Sequence, residues 1–119
     1  MFMEQTIHVI DDDEGVRESL LSLLDCYGFK AQGHPSAEAF LAFPRQTHDC
    51  VLVDHHMPGM TGLELLERLF SEGSCCHALM MTAGGSAEIA ARAKSLGAKY
   101  LTKPVEANVL IEWAEQQKR

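Results

Sequence analysis

Short apolar stretches alternate along this chain with segments of helical spacing. Ile7-His8-Val9-Ile10 runs directly into Asp11-Asp12-Asp13, and it reads as a buried strand. Val16, Leu20, Leu23, Leu24 and Tyr27 then recur at three- and four-residue steps, which predicts a helix with Gly28 as its stop. Phe29-Lys30-Ala31-Gln32 reads as a weaker edge strand. Ser36 is placed to cap a short helix carrying Ala39, Phe40 and Phe43, which stops before Pro44. Cys50-Val51-Leu52-Val53 is a second strong strand, ending at Asp54. Thr61 and Glu64 have capping-box spacing, and Leu63, Leu66, Leu69 and Phe70 supply an apolar face up to Gly73. Ala78-Leu79-Met80-Met81 ends at Thr82, and Ser86 opens a helix with Ile89, Ala90, Ala93 and Leu96 inward and Gly97 as its stop. Ala98-Lys99-Tyr100-Leu101 leads to Lys103-Pro104, and a last helix from about Glu106 carries Val109, Leu110 and Trp113.

Strand runs that are apolar throughout, not alternating, belong to a sheet covered on both faces. Helices between successive strands make that sheet parallel, with right-handed crossovers. The expected fold is α/β: a doubly wound, flavodoxin-like sheet of five parallel strands in the order 2-1-3-4-5, one domain over residues 1–119 with a core of about 6–117. The length of 119 residues suits one such domain, and 46% hydrophobic residues can fill its core. A net charge of -7 argues against direct nucleic-acid binding, which needs clustered Lys and Arg. No apolar run approaches the ~20 residues of a membrane span. Met1-Phe2-Met3-Glu4-Gln5 lacks the features of a signal peptide, so a cytoplasmic location is expected, with Cys26, Cys50, Cys75 and Cys76 reduced.

The chemistry stands at the strand ends. Asp11, Asp12 and Asp13 follow the first strand, Asp54 the third, Thr82 the fourth and Lys103 the fifth. In an open parallel sheet all of these lie on the carboxyl edge, where such folds bind ligands at the switch point between the first and third strands. Carboxylates held close repel one another, and a hard divalent cation relieves that repulsion through oxygen ligands. A lysine adds fixed positive charge and a threonine adds a hydroxyl donor. The set suits phosphoryl transfer, which depends on positioning and charge neutralisation, and a carboxylate can be the nucleophile. Taken singly, each residue is more simply a cap, a turn residue or an ordinary loop lysine. Their joint placement on four strand ends is what favours the functional reading.

Ile10-Asp11-Asp12-Asp13-Glu14, the segment from Val53-Asp54-His55-His56-Met57-Pro58 to Gly62, Met81-Thr82-Ala83 and Tyr100-Leu101-Thr102-Lys103-Pro104 together resemble the response-regulator receivers of bacterial two-component systems. The resemblance spans about Ile7 to Trp113, and Val16-Arg17-Glu18-Ser19-Leu20 and Ser36-Ala37-Glu38-Ala39-Phe40-Leu41 are most similar to the FixJ-type branch. It implies that Asp54 is the phosphoacceptor. Asp12 and Asp54 would ligate Mg2+, with Mn2+ as a substitute; Asp11 would hold a metal-bound water, and the His56 backbone carbonyl would be a further ligand. Thr82 and Lys103 would grip the phosphoryl oxygens. Tyr100 would turn inward as Thr82 moves, reshaping the surface around the fourth helix, fifth strand and fifth helix. The implied phosphodonor is a phosphohistidine on a sensor histidine kinase or phosphotransfer protein, and two copies are expected to pair on phosphorylation. Such a domain catalyses only its own phosphorylation and dephosphorylation and is not otherwise an enzyme.

Three features depart from the family pattern: His56 two residues after the acceptor, the permissive Gly84-Gly85 pair, and a slightly short stretch from Thr82 to Lys103. They bear on phosphoryl lifetime and switch amplitude. His55-His56 with Cys75-Cys76-His77 could suggest a soft metal, but the spacing matches no zinc motif. Two other functions compete. A phosphatase with an Asp nucleophile, of haloacid-dehalogenase type, would want an acid two residues after Asp54, where His56 stands. A phosphate-independent interaction module would not need the complete set of Asp12, Asp54, Thr82 and Lys103. The ending Gln116-Gln117-Lys118-Arg119 suits equally a stand-alone regulator and the N-terminal piece of a longer transcription regulator.

Overall fold

The structure, a computed structural model, describes residues 5–73 and 77–118. Its elements alternate as expected: β1 (Thr6–Ile10), α1 (Glu14–Cys26), β2 (Lys30–His34), α2 (Ala37–Ala42), β3 (Cys50–Asp54), α3 (Gly62–Ser71), β4 (His77–Thr82), α4 (Ala87–Ser95), β5 (Lys99–Thr102) and α5 (Ala107–Gln116). The strands form one parallel sheet in the order β2-β1-β3-β4-β5. Every residue of β3 is buried, as a central strand covered on both faces requires. One face packs Phe40, Leu65, Leu66 and Ala93 onto Ile10, Val51, Val53 and Met80. The other packs Leu20, Leu24, Leu110 and Trp113 onto Val9, Leu52, Leu79 and Met81. Among the described residues, no helix is long and apolar enough to cross a membrane.

Helix starts follow their caps. Side-chain oxygens of Asp13, Ser36, Thr61 and Ser86 accept backbone N–H groups of the first turns of α1, α2, α3 and α4, and Thr61 with Glu64 completes a capping box. Gly28, Gly73 and Gly97 stand at the expected stops.

The differences from the sequence reading lie at element edges. β2 runs Lys30–His34, not 29–32, because its register with β1 continues to Ile10 opposite His34. Phe43 has left α2 and is extended, as the residue before a proline is biased to be. Tyr27 caps α1 and is 58% exposed, and Phe70, in the last turn of α3, is 62% exposed. Leu65, absent from the predicted face, is fully buried.

A buried polar chain crosses the apolar face beneath α2. The Asp49 carboxylate lies 2.9 Å from Nε2 of His8, whose Nδ1 lies 2.9 Å from Nε2 of His34. Asp49 also accepts the backbone N–H groups of Thr6 and Gln46. The two imidazoles stack, and the rings of Phe40 and Phe43 meet both edge-on. Burial would raise the Asp49 carboxyl, but the Gln46 N–H, the His8 ring and the Thr6 N–H together hold it below its ordinary value. Burial, with the neighbouring His8, lowers His34 from 6.5 to about 4.

Between 6.5 and about 4, then, the unfolded chain binds a proton at His34 that the folded protein refuses. Stability is expected to fall as pH is lowered through that window. His55, also lowered by burial, adds to the same slope. His34→Gln should flatten the slope without abolishing it, as read from urea midpoints at the two ends of the window. An unchanged slope in that variant would contradict the assignment.

Candidate functional site

The carboxyl ends of β1, β3, β4 and β5 bring Asp11, Asp54, Thr82 and Lys103 together. Asp11 and Thr82 are completely buried, Asp54 nearly so, and Asp12 is exposed at the rim. Ligand oxygens of Asp11, Asp12 and Asp54 lie within 4.8 Å of one another. The three consecutive aspartates divide their roles. Asp13 caps α1, accepting the Val16 N–H at 3.0 Å. Asp11 points back into the site, its Oδ1 accepting the Asp13 N–H at 2.9 Å and its Oδ2 the Lys103 ammonium at 3.0 Å. Asp12, between them, is exposed at the rim, with its carboxylate still within 4.8 Å of those of Asp11 and Asp54.

Asp54 ends β3 with Oδ1 at 3.4 Å from Lys103 Nζ and 3.3 Å from the His56 N–H. Burial, then the charge of Asp11, raises its carboxyl above the ordinary value, and Lys103 and the His56 N–H only partly offset this. Burial alone would lower the Lys103 ammonium. The hydrogen bond and charge of Asp11, with Asp54 behind them, hold it above its ordinary value instead, so it stays protonated. The backbone fixes these strand ends to one another: His55 N–H donates to the Met81 carbonyl at 2.8 Å, and Lys103 N–H to the Thr82 carbonyl at 2.7 Å.

The loop from β3 to α3 is folded tightly under Asp54. A Cβ on Gly62 would stand 2.6 Å from the Asp54 carbonyl oxygen and 2.9 Å from the His55 Cα, so that position has room only for hydrogen. Met57 is buried in the core, and Gly59 turns with φ 78° beside Glu38, whose carboxylate accepts the Met60 N–H at 3.2 Å.

The two loop histidines have separate tasks. The His55 ring is buried and its Nδ1 accepts the Leu63 N–H at 3.3 Å, at the start of α3. The His56 ring reaches across the mouth of the site to Thr82, with Nε2 2.8 Å from the hydroxyl and 3.0 Å from the Gly84 carbonyl. Among the described residues, Asp11, Asp12 and Asp54 are the group able to hold a metal ion. Cys75 and Cys76, weighed above as soft ligands, lie outside the described residues. Tyr100 is half-buried at the edge of the core, with its hydroxyl against Gly85. The position of His56 at the entry is legible in the sequence; its bond to Thr82 is not. Nor is the Asp49–His8–His34 chain, for which a histidine inside an apolar strand is the one available signal.

The local electrostatics yield two expectations. Asp11→Asn should lower the Asp54 carboxyl pKa and Lys103→Met should raise it, as read by NMR titration of the carboxyl carbon. Gly62→Ala should destabilise the fold by about 1–3 kcal/mol through overpacking, as measured by chemical denaturation.

Comparison with known proteins gives a consistent match. The profile of the response regulator receiver domain matches residues 7–115. The transcriptional regulatory protein FixJ of Azorhizobium caulinodans is 42% identical over 107 residues, covering 88% of this chain and 51% of that protein. FixJ of Rhizobium meliloti is 40% identical over 115 residues, covering 95% and 56%. Among solved structures, FixJ-N superposes with a TM-score of 0.86 at 36% identity, covering 98% of this chain and 94% of that one. A CheY-like receiver domain protein from Methanospirillum hungatei superposes with a TM-score of 0.84 at 26% identity, covering 97% and 94%. The chain spans about half the length of the curated relatives it matches.

Proposed function

The chain belongs to the response regulator receiver family, the signalling domains of two-component systems, and from that premise we propose that it accepts a phosphoryl group on Asp54 from a phosphohistidine of a sensor kinase or phosphotransfer protein. The observation that carries this reading is the convergence of Asp11, Asp12 and Asp54 within 4.8 Å, with the Lys103 ammonium on Asp11 and Asp54. In the transfer, an Asp54 carboxylate oxygen forms the new P–O bond as the P–N bond of the phosphohistidine breaks. The electron pair of that bond returns to the imidazole.

The residues present fit a divalent cation. They offer hard oxygen ligands, and burial followed by the charge of Asp11 raises the Asp54 carboxyl, an unfavourable setting that a cation would relieve. Asp12, Asp54 and the His56 backbone carbonyl would hold Mg2+, or Mn2+ in its place, with Asp11 holding a metal-bound water. When bound, the ion neutralises charge on the transferring phosphoryl oxygens. Lys103 supplies a second positive charge at a partly buried position, where it acts more strongly than in water. Thr82 supplies a hydroxyl donor to a phosphoryl oxygen.

An apolar groove lined by Gly15, Val16, Ser19, Leu20, Pro104 and Val105 opens beside Lys103. The phosphodonor would dock over this groove, next to the Lys103 that faces Asp54. Movement of Thr82 toward the phosphoryl group, with Tyr100 following, would shift the population toward a state with a new α4–β5–α5 surface. That surface would pair two copies or engage an output domain. A transcriptional output, by analogy with the FixJ relatives, and a cytoplasmic setting complete the proposal.

Incubation with acetyl phosphate and Mg2+ should add one phosphoryl group to the intact protein by mass. Chelator should abolish the gain, as should Asp54→Asn, and Lys103→Met should slow it on the order of a hundredfold. A protein that stays folded yet gains no adduct would favour a phosphate-independent interaction module.

A further inference from the structure

The Thr82 hydroxyl is fully engaged in this structure. A hydroxyl has one hydrogen to donate and two lone pairs to receive. The hydrogen goes to the Gly84 carbonyl at 2.8 Å. The lone pairs face Nε2 of His56 at 2.8 Å and, at 3.4 Å, the Gly84 N–H. Nε2 also stands 3.0 Å from the Gly84 carbonyl. A ring nitrogen that faces both a carbonyl and an already donating hydroxyl has a hydrogen-bonding role only as a donor, so the hydrogen sits on Nε2. Thr82 therefore cannot donate to an oxygen on Asp54 without first releasing Gly84.

The same loop seats the aromatic residue. A Cβ on Gly85 would overlap the Tyr100 hydroxyl and lie 3.2 Å from the Thr82 methyl, so both side chains rest on the bare backbone there. His56 reaches this arrangement from the β3–α3 loop, 26 residues earlier in the chain than Thr82. It thereby ties the acceptor loop to the loop that carries Thr82 and receives Tyr100.

We propose that His56 is a positioning residue of the switch: its imidazole N–H holds the Thr82 oxygen beside Gly84 in the resting protein, so that the Gly84 carbonyl and not a phosphoryl oxygen receives the Thr82 hydrogen. This rests on the phosphoacceptor reading above. The bond to the Thr82 oxygen is present at rest and is lost when the hydroxyl turns to a group on Asp54. Nε2–H, already 3.0 Å from the Gly84 carbonyl, then remains as that carbonyl's donor. The net effect is to favour the resting state by one hydrogen bond, worth a factor of roughly three to ten in the switching equilibrium.

The test uses binding of Mg2+ and beryllofluoride, a phosphoryl mimic, by the parent, His56→Leu and His56→Gln. Leucine removes the donor, and glutamine restores an N–H at similar reach. Half-saturation in His56→Leu is expected at roughly threefold to tenfold lower beryllofluoride, with His56→Gln near the parent. In a Thr82→Ala background, His56→Leu should have no effect. Equal affinities for the parent and His56→Leu would overturn the proposal. So would the same tightening without Thr82, which would mean that His56 merely narrows the mouth.

A second measurement reads the unliganded protein. Three-bond couplings should show one Thr82 side-chain rotamer in the parent and His56→Gln, and an averaged one in His56→Leu. An unaltered rotamer in His56→Leu would exclude the latch even if no variant bound beryllofluoride, an outcome that would separately remove the phosphoacceptor reading.

Discussion

The Lys103 ammonium stands 3.0 Å from Asp11 and 3.4 Å from Asp54, and the carboxyl edge of the sheet is built around that triangle. Burying one carboxylate without a partner is costly, and placing two close together compounds the cost. One ammonium between them answers only part of it, as the raised Asp54 carboxyl records. The surrounding contacts keep the triangle from relaxing. Arg17 donates to the Asp11 carbonyl, the Asp13 N–H fixes the Asp11 carboxylate, and the Lys103 N–H is bonded to the strand end beside it. Asp54 is therefore held buried beside a second carboxylate that one ammonium only partly offsets, a setting in which added positive charge would be favourable.

Much of this arrangement was legible in the sequence because it depends on strand ends. A parallel sheet with helices between its strands puts every strand's last residue on one edge, so order along the chain translates directly into proximity. Asp11, Asp54, Thr82 and Lys103 follow from that rule alone, and the caps at Ser36, Thr61 and Ser86 follow from side-chain oxygens at fixed offsets. Less legible were properties set by neighbours distant in sequence. The extent of β2 depends on its register with β1, and the exposure of Tyr27 and Phe70 depends on where cover ends. The bond between His56 and Thr82 joins loops whose spacing carries no periodic signal.

The Asp49–His8–His34 chain shows the same limit from inside the core. Each residue, read alone, is a polar interruption or a turn carboxylate. Together they satisfy one another across β1, β2 and the approach to β3, as buried polar groups must. Their position also matters to the edge above. The carbonyl of His34 accepts the Asp11 N–H at 3.2 Å, so the same residue that closes the polar chain anchors the backbone of a site carboxylate. Acid sensitivity in the core and the placement of the site thus meet at one residue.

The contact between Gly85 and Tyr100 has a consequence for recombining parts of this fold. The phenol tip fills the space that a side chain at position 85 would need, so the loop after β4 acts as a mould cast around the end of that ring. Mould and cast come from different elements, 15 positions apart, and the fit depends on both. In a chimaera assembled from two such domains, a crossover between these positions would pair one parent's loop with the other's aromatic residue. Positions 85 and 100 therefore form a single inherited unit, to be exchanged together or left together.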